Sequence, residues 1–173
     1  GFFGERMYQI AGRCGGNPGK IEAAWGEPIP PEQIESALKK EQRVKVVALV
    51  HAETSTGVLQ PLDGLHEVVG RHGALLLVDT VTSLAAHPVE VDRHRIDTCY
   101  SGTQKALNAP PGLAPITMSD RAMEICRKRS HKVQSFYLDV TLFEQYWGTN
   151  KFYHYTPPVS LYYALLEALR IVE

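Results

Sequence analysis

The sequence lacks long apolar runs, an excess of charge of either sign and a set of paired cysteines. No apolar stretch approaches the roughly 20 residues that a membrane-spanning helix requires. The formal net charge is −1 at pH 7, and the one basic cluster, residues 127–129 with Lys132 nearby, is typical of a solvated helix face. We therefore expect neither a membrane nor a nucleic acid as a partner.

Cysteines and metal-ligand motifs are also scarce. The three cysteines, Cys14, Cys99 and Cys126, are odd in number and widely spaced, which fits reduced thiols inside a cell better than a disulfide framework. The seven histidines show no HExxH or comparable spacing, so we interpret them as ordinary surface or core residues and predict no metal site. The residues do not distinguish a peroxisomal, mitochondrial or cytoplasmic location.

What is present is the composition of a globular protein, with 44% hydrophobic and 21% charged residues. The first residue is Gly1 rather than methionine, and residues 171–173 lie inside a helix-like apolar pattern that has no cap. We interpret the 173 residues as a piece of a longer protein.

The hydrophobic pattern predicts an α/β fold. Two apolar runs, residues 44–50 and 74–78, are typical of strands buried on both faces of a parallel sheet. Between them, residues 62–69 carry an apolar stripe at helical spacing, so the three segments form a β–α–β unit. The same reasoning predicts short strands at residues 21–25, 96–100 and 113–118, and helices at residues 4–11, after Pro30-Pro31, at residues 120–129 with Ser119 or Asp120 as cap, and from Thr156 onward.

Ligands of such sheets bind at the carboxyl ends of the strands, so the loops after Val50, Val78 and Tyr100 hold the candidate site residues. Taken singly, a strand-end Asp79 is commonly a turn residue, and a loop lysine such as Lys105 is usually solvated. Taken together, the loops supply what a pyridoxal-phosphate site requires. A lysine must hold the cofactor aldehyde as an imine, and a carboxylate must keep the pyridine nitrogen protonated. Hydroxyl groups can bond the phosphate or the ring substituents.

Several segments resemble the alanine–glyoxylate / serine–pyruvate aminotransferase family, which belongs to the class V aminotransferases of the aspartate-aminotransferase fold (fold type I). The resemblance covers practically the whole chain, and residues 101–112 form its most specific part. The interval of 26 residues from Asp79 to Lys105 (105 − 79 = 26) also fits the family. The segments that carry the resemblance are Thr54-Ser55-Thr56-Gly57, Leu77-Val78-Asp79-Thr80-Val81, Ser101-Gly102-Thr103-Gln104-Lys105-Ala106-Leu107, Ser135-Phe136-Tyr137-Leu138-Asp139 and Tyr153-His154-Tyr155-Thr156-Pro157-Pro158.

The resemblance implies pyridoxal 5'-phosphate as cofactor and a role for each matching residue. Lys105 would be the Schiff-base lysine and the proton shuttle, and Asp79 would pair with the pyridine nitrogen. Val81 would pack against the ring, and Thr54 and Gln104 would contact the ring hydroxyl or its surroundings. Thr54 stands where serine is frequent in the family, and the hydroxyl group is kept.

The resemblance also implies a homodimer with shared active sites, because Tyr153 and Thr156 match residues that reach the phosphate of the neighbouring subunit's cofactor. We also expect Thr156 to open the last helix. The amino donor would be alanine or serine and the acceptor glyoxylate or pyruvate.

The resemblance further implies a domain organisation. Residues 1–173 would be the central part of the cofactor-binding large domain, of mainly parallel sheet flanked by helices. The glycine-containing phosphate turn and the aromatic that stacks on the ring would precede Gly1. A small C-terminal domain, with the arginine that holds the substrate carboxylate, would follow Glu173. The piece alone should be inactive.

Two alternatives stay open. The first is a P-loop nucleotide-binding protein, since residues 15–20 read Gly-Gly-Asn-Pro-Gly-Lys. Cys14 at the first-glycine position, Ile21 in place of Ser/Thr and the missing N–H of Pro18 argue against it. The second is another class V pyridoxal-phosphate enzyme, such as a cysteine desulfurase. A binding subunit that keeps the fold without catalysis is disfavoured by the intact Asp79 and Lys105.

Overall fold

The computed structural model describes residues 1–41, 43–149 and 151–173. It shows an α/β arrangement in which two helices come first and most strands lie in the middle of the chain, with α3 between them. The helices are α1 (Phe2–Arg13), α2 (Pro31–Lys40), α3 (Leu65–Arg71), α4 (Asp120–Arg127), α5 (Val140–Trp147) and α6 (Val159–Val172). The strands are β1 (Val46–Val50), β2 (Ala52–Glu53), β3 (Val58–Leu59), β4 (Leu75–Asp79), β5 (Thr98–Tyr100) and β6 (Ile116–Met118).

The main sheet has the strand order β1-β4-β5-β6. The pairs β1–β4 and β4–β5 are parallel, and β6 runs antiparallel to β5. The predicted β–α–β unit is confirmed, since α3 connects the parallel strands β1 and β4. Two short antiparallel strands, β2 and β3, form a hairpin directly after β1.

The hydrophobic core lies on one face of the sheet. Leu76 and Val78 of β4 are fully buried there, and they belong to the same cluster as Ile34 of α2 and Leu65 and Val69 of α3. Because strand side chains alternate between faces, Leu75 and Leu77 point the other way, where burial is only partial. The core therefore holds α2 and α3 against the strands whose ends carry the candidate site.

Some sequence predictions differ from the structure. Strand β1 is not buried on both faces: it lies at the edge of the sheet, and Val46 is 45% exposed. No strand forms at residues 21–25, where Trp25 instead packs edge-on against Phe2 with ring centroids 5.4 Å apart. Alternating apolar residues there have no neighbouring strand to pair with in the described part of the chain.

The last helix begins later than predicted. Helix α6 starts at Val159 with Pro158 at its N-cap position, so Thr156 does not open it. A residue that precedes proline is held in extended conformation. Thr156 precedes Pro157, which in turn precedes Pro158, so both Thr156 and Pro157 favour extended backbone and the helix begins only beyond them. Among the described residues, no helix is both long enough and apolar enough to cross a membrane.

Candidate active site

The ends of three parallel strands lie side by side. Val50 at the end of β1 is in register with Asp79 at the end of β4, and Asp79 is in register with Tyr100 at the end of β5. The loops that follow these strands therefore leave the sheet at one edge. This geometry brings together the three segments that the sequence analysis selected.

Hydrogen bonds from side chains to backbone hold the three loops together. The Thr82 hydroxyl donates to the Ala52 carbonyl oxygen at 2.6 Å, which joins the loop after β4 to the hairpin after β1. The Ser101 hydroxyl donates to the carbonyl oxygen of Thr80 at 3.1 Å. The Thr80 hydroxyl in turn donates to the carbonyl oxygen of Tyr100 at 2.9 Å. Because Thr80 and Ser101 are buried, these bonds are shielded from competing water.

The Asp79 carboxylate is 8% exposed and accepts one hydrogen bond on each oxygen. The Val81 N–H donates to Oδ1 at 2.8 Å, and the Tyr100 hydroxyl donates to Oδ2 at 2.7 Å. Burial, and then the hydrogen bond to Asp79, raise the pKa of the Tyr100 phenol, so it remains a donor. A carboxylate has about four acceptor positions, so Asp79 can still accept a further N–H.

Hydrogen bonds between its own residues fix the conformation of the loop that carries Lys105. The fully buried Thr103 hydroxyl donates to the carbonyl oxygen of Pro110 at 2.7 Å, and the Ala109 N–H donates to the Thr103 carbonyl oxygen at 2.9 Å. At the end of the loop, Gly112 has φ +135°, and a Cβ there would lie 2.6 Å from Cδ1 of Leu161. The loop is thus closed around Thr103 while Lys105 itself is exposed.

A small cleft at this edge gathers four of the predicted site residues. Thr54, Asp79, Val81 and Lys105 all line it. The remaining lining residues are Phe3, Val50, Ala52 and Thr82. Gln104 is not among them: it is exposed, and its Oε1 folds back to 2.9 Å from where a Cβ on Gly102 would lie. A second cleft, around Asp63, Arg93 and His94, contains none of the predicted residues.

Tyr153 and Thr156 lie together but do not line the cleft of their own chain. Their hydroxyl groups hydrogen-bond to each other, and Tyr153 is 64% exposed. Both belong to the segment between α5 and α6. Many aromatic and apolar side chains are exposed around this segment: Phe136, Tyr137, Leu138, Trp147, Phe152 and Tyr163. We refer to these six residues with Tyr153 as the aromatic surface.

The structure adds residues to the site that the sequence analysis missed. Phe3 lines the cleft, so an aromatic side chain is available within the chain, whereas the sequence analysis expects the stacking aromatic before Gly1. Tyr100 contacts Asp79 directly. The signal in the sequence for Tyr100 is its position as the last residue of a strand before the lysine loop, although its pairing with Asp79 depends on strand register. Phe3 carries no comparable signal, because it is distant in sequence from the three strand ends.

A buried carboxylate, Glu53, stands next to Thr54 in the hairpin after β1. It accepts hydrogen bonds from Ser55 and from the first turn of α1. Burial opposes ionisation of Glu53, but the hydrogen bonds from Ser55 and from the Gly4 N–H outweigh it and hold the pKa of Glu53 below its ordinary value. Glu53 is thus an anion that is satisfied by donors from two separate segments.

Comparison with known proteins shows the family. The model of the class-V aminotransferases matches residues 7–173. The chain belongs to the class-V aminotransferases. It is 41% identical over 175 residues to the alanine–glyoxylate aminotransferase of Oryctolagus cuniculus, covering 99% of this chain and 44% of that protein.

Solved aminotransferase structures share the fold. The alanine–glyoxylate aminotransferase from Nostoc sp. superposes with a TM-score of 0.96 at 48% identity, over 99% of this chain and 45% of that one. The ureidoglycine–glyoxylate aminotransferase from Bacillus subtilis gives 0.94 at 38% identity, over 98% and 44%. The chain therefore spans less than half the length of these relatives. The predicted α/β fold of a fold type I transferase is confirmed, and class-V aminotransferases are pyridoxal-phosphate-dependent enzymes.

The family assignment and the fold contradict the P-loop alternative. A phosphate loop connects a strand to a following helix, whereas residues 15–20 follow helix α1 and lead into an irregular segment. Within the described residues, no group of three or more His, Cys, Asp and Glu side chains is arranged to hold a metal ion.

Proposed function

We propose that the full-length protein containing this chain is a pyridoxal-phosphate-dependent transaminase in which Lys105 binds the cofactor covalently. The observation that carries the proposal is the cleft in which Lys105, Asp79, Val81 and Thr54 meet, although they come from three separate loops. Residues 1–173 would be the central part of the cofactor-binding domain, with further segments on both sides. The 44–45% of the relatives' length that the chain covers supports this.

The side chains in the cleft fit the cofactor chemically. Asp79 is a buried carboxylate with acceptor capacity left after its bonds to Val81 and Tyr100, which suits a protonated pyridine nitrogen. Phe3 and Val81 line the same cleft and can cover the faces of an aromatic ring. The Thr54 hydroxyl is available for a ring substituent. Gln104 would join them only if its side chain turned from Gly102 toward the cleft.

When bound, the cofactor supplies an aldehyde for amine exchange and a ring that withdraws electrons from the substrate α-carbon. The residues of this chain would hold the cofactor in place and move protons. Asp79 holds a proton on the pyridine nitrogen, and Tyr100 keeps Asp79 oriented. Lys105 Nζ would hold the cofactor, and as a free amine it would be able to move a proton at the substrate α-carbon. The closed loop around Thr103 fixes where that amine can reach.

For the substrates we propose alanine or serine as amino donor and glyoxylate or pyruvate as acceptor. Support comes from the activities for which the relatives are named, in which glyoxylate recurs while the donor differs between alanine and ureidoglycine. Transamination is favoured over cysteine desulfuration, because none of the three cysteines lines the cleft. Burial raises the pKa of the Cys99 thiol, which disfavours the reactive thiolate.

We also propose a homodimer in which Tyr153 and Thr156 complete the partner's site. Two observations support it. Neither residue lines its own chain's cleft, and Tyr153, whose hydroxyl is hydrogen-bonded to that of Thr156, belongs to the exposed aromatic surface. Large exposed apolar patches mark contact sites. A second copy of the chain, covering this surface, would bring Tyr153 and Thr156 to a neighbouring cleft.

The central test is covalent mapping in the full-length protein. Borohydride reduction of the cofactor-loaded protein, followed by peptide mass mapping, should place the adduct on Lys105. Lys105→Ala protein treated in the same way serves as the control. An adduct on another lysine, or an unmodified Lys105 in cofactor-loaded protein, would refute the proposal.

A further inference from the structure

The buried carboxylate of Glu53 has an unusual set of partners. It is 7% exposed, lies at the end of β2 and is flanked by Thr54 of the cleft. Its Oε1 accepts from the N–H and the hydroxyl of Ser55, at 3.1 and 2.7 Å. Its Oε2 accepts from the backbone N–H groups of Phe3 and Gly4, both at 3.1 Å.

These bonds cap helix α1 from outside the helix. The first N–H groups of a helix have no partner within it, and Gly1 at the N-cap position has no side chain to supply one. Glu53 and Ser55 supply the acceptors instead, since the Phe2 N–H also donates to the Ser55 hydroxyl oxygen at 2.8 Å. An anion at a helix N-terminus is further stabilised by the helix dipole.

The cap holds the aromatic residue that the described part of the chain contributes to the cleft. Phe3 lies in the capped turn and lines the cleft, although helix α1 has no buried residue to anchor it in the core. The Arg6 guanidinium lies 5.1 Å from the centroid of the Phe3 ring, so that contact also comes from α1 itself. Glu53 and Ser55 therefore provide the polar link between the Phe3 backbone and the hairpin that bears Thr54.

We infer that Glu53, assisted by Ser55, is a positioning residue that sets Phe3 beside the cofactor ring without touching the cofactor. The inference rests on the proposed function, because it assigns Phe3 a cofactor to cover. Glu53 would act through the backbone of residues 3 and 4. Its loss should alter cofactor binding only where the Phe3 ring is present.

Glu53→Gln is the most informative variant, because it keeps the size of the side chain but replaces one acceptor oxygen with a donor NH2 group. All four partners of Glu53 donate, so one pair of them loses its acceptor. The full-length protein would be titrated with pyridoxal 5'-phosphate, and the induced circular dichroism of the bound cofactor recorded. We expect affinity weaker by about 2- to 10-fold, the range of one aromatic contact, together with a changed dichroic signal.

A double-mutant cycle with Phe3→Leu separates positioning from general destabilisation. In the Phe3→Leu background, Glu53→Gln should have little further effect on affinity. Asp97→Asn is the matched control: Asp97 is a buried carboxylate that accepts from the Leu76 N–H at 2.9 Å, before the start of β5 and so at the opposite end of the sheet. It should lower stability and leave cofactor affinity unchanged.

Each outcome decides something. Wild-type protein that binds no pyridoxal phosphate would overturn the proposed function and this inference with it. Wild-type binding with unchanged affinity and dichroism in Glu53→Gln would overturn the inference alone, as would an equal loss in the Phe3→Leu background. If Glu53→Gln does not fold, Ser55→Ala, which keeps the carboxylate, replaces it in the same cycle with a smaller expected loss.

Discussion

A buried histidine at the end of β1 should make the stability of the protein depend on pH. His51 is 3% exposed, and its Nδ1 lies 2.9 Å from the Ser83 hydroxyl oxygen. Its ring packs edge-on against His87, with centroids 5.6 Å apart. Burial, and then the positive charge of His87 and His94, lower the pKa of His51 from 6.5 to about 4.

The direction of the effect follows from proton counting. Above pH 6.5 His51 is neutral in both the folded and the unfolded chain, and it contributes nothing to the pH dependence. Between pH 6.5 and about 4 only the unfolded chain binds the proton, so stability falls as the pH falls. A difference of 2.5 pKa units (6.5 − 4 = 2.5) at about 1.4 kcal/mol per unit gives a loss of about 3–4 kcal/mol, complete below the folded-state pKa.

The assay is urea unfolding of the cofactor-free, full-length protein across this pH range, comparing wild type with His51→Gln. The variant has a polar side chain that does not titrate, so its free energy of unfolding should fall less steeply, by up to about 3–4 kcal/mol over the range. His131→Gln, at an exposed position, should follow the wild type. Identical pH profiles for wild type and His51→Gln would refute the reasoning.

Three further predictions concern the site. Asp79→Asn should keep the fold but lower turnover, by about 2–4 kcal/mol of transition-state stabilisation, because the amide cannot pair with a pyridinium as a carboxylate does. Near-normal turnover with bound cofactor would show that Asp79 is only a turn residue. Mixing inactive Lys105→Ala protein with an inactive Tyr153/Thr156 double variant under subunit exchange should restore activity, and hybrids that stay inactive would disprove shared sites. Thr103→Val should lower the free energy of unfolding by about 1–2 kcal/mol, since the carbonyl oxygens it serves lose a buried donor; an unchanged urea midpoint would contradict this.

The fold was largely predictable where a segment buries a continuous apolar run. Strand β4 and helix α3 follow the pattern because their side chains pack into the core. Helix α5 has no counterpart in the sequence predictions: its sequence is rich in β-branched and aromatic residues, which are weak helix formers. It is started by Asp139, whose carboxylate accepts from the Thr141 N–H at 3.0 Å. The sequence analysis used Asp139 only as part of the segment Ser135-Phe136-Tyr137-Leu138-Asp139 that carries the family resemblance. Its role as a helix cap was therefore not considered.

The candidate site was predictable to the extent that its residues stand at strand ends or in the loops that follow them. Asp79 and Lys105 could be selected because parallel strand ends converge at one edge. Phe3 could not, since its place in the cleft depends on how α1 docks on the hairpin after β1. Tyr100 was treated only as the end of a strand, because a hydrogen bond between neighbouring strand ends depends on register, which periodicity does not determine.

The polar residues of the three loops divide into two groups by burial. Thr80, Ser101 and Thr103 are buried and bond mainly to backbone atoms, whereas Thr54 and Lys105 are exposed at the cleft. A buried hydroxyl that lost its partner would destabilise the protein, so each buried group holds its loop in one geometry. The exposed groups carry no such constraint and are free to meet a ligand. The motif around Lys105 therefore mixes residues that shape the cleft with residues that face it, and the rigid part exists before any cofactor arrives. Substitutions at the buried hydroxyls should consequently act on cofactor affinity through loop position, even though none of them lines the cleft.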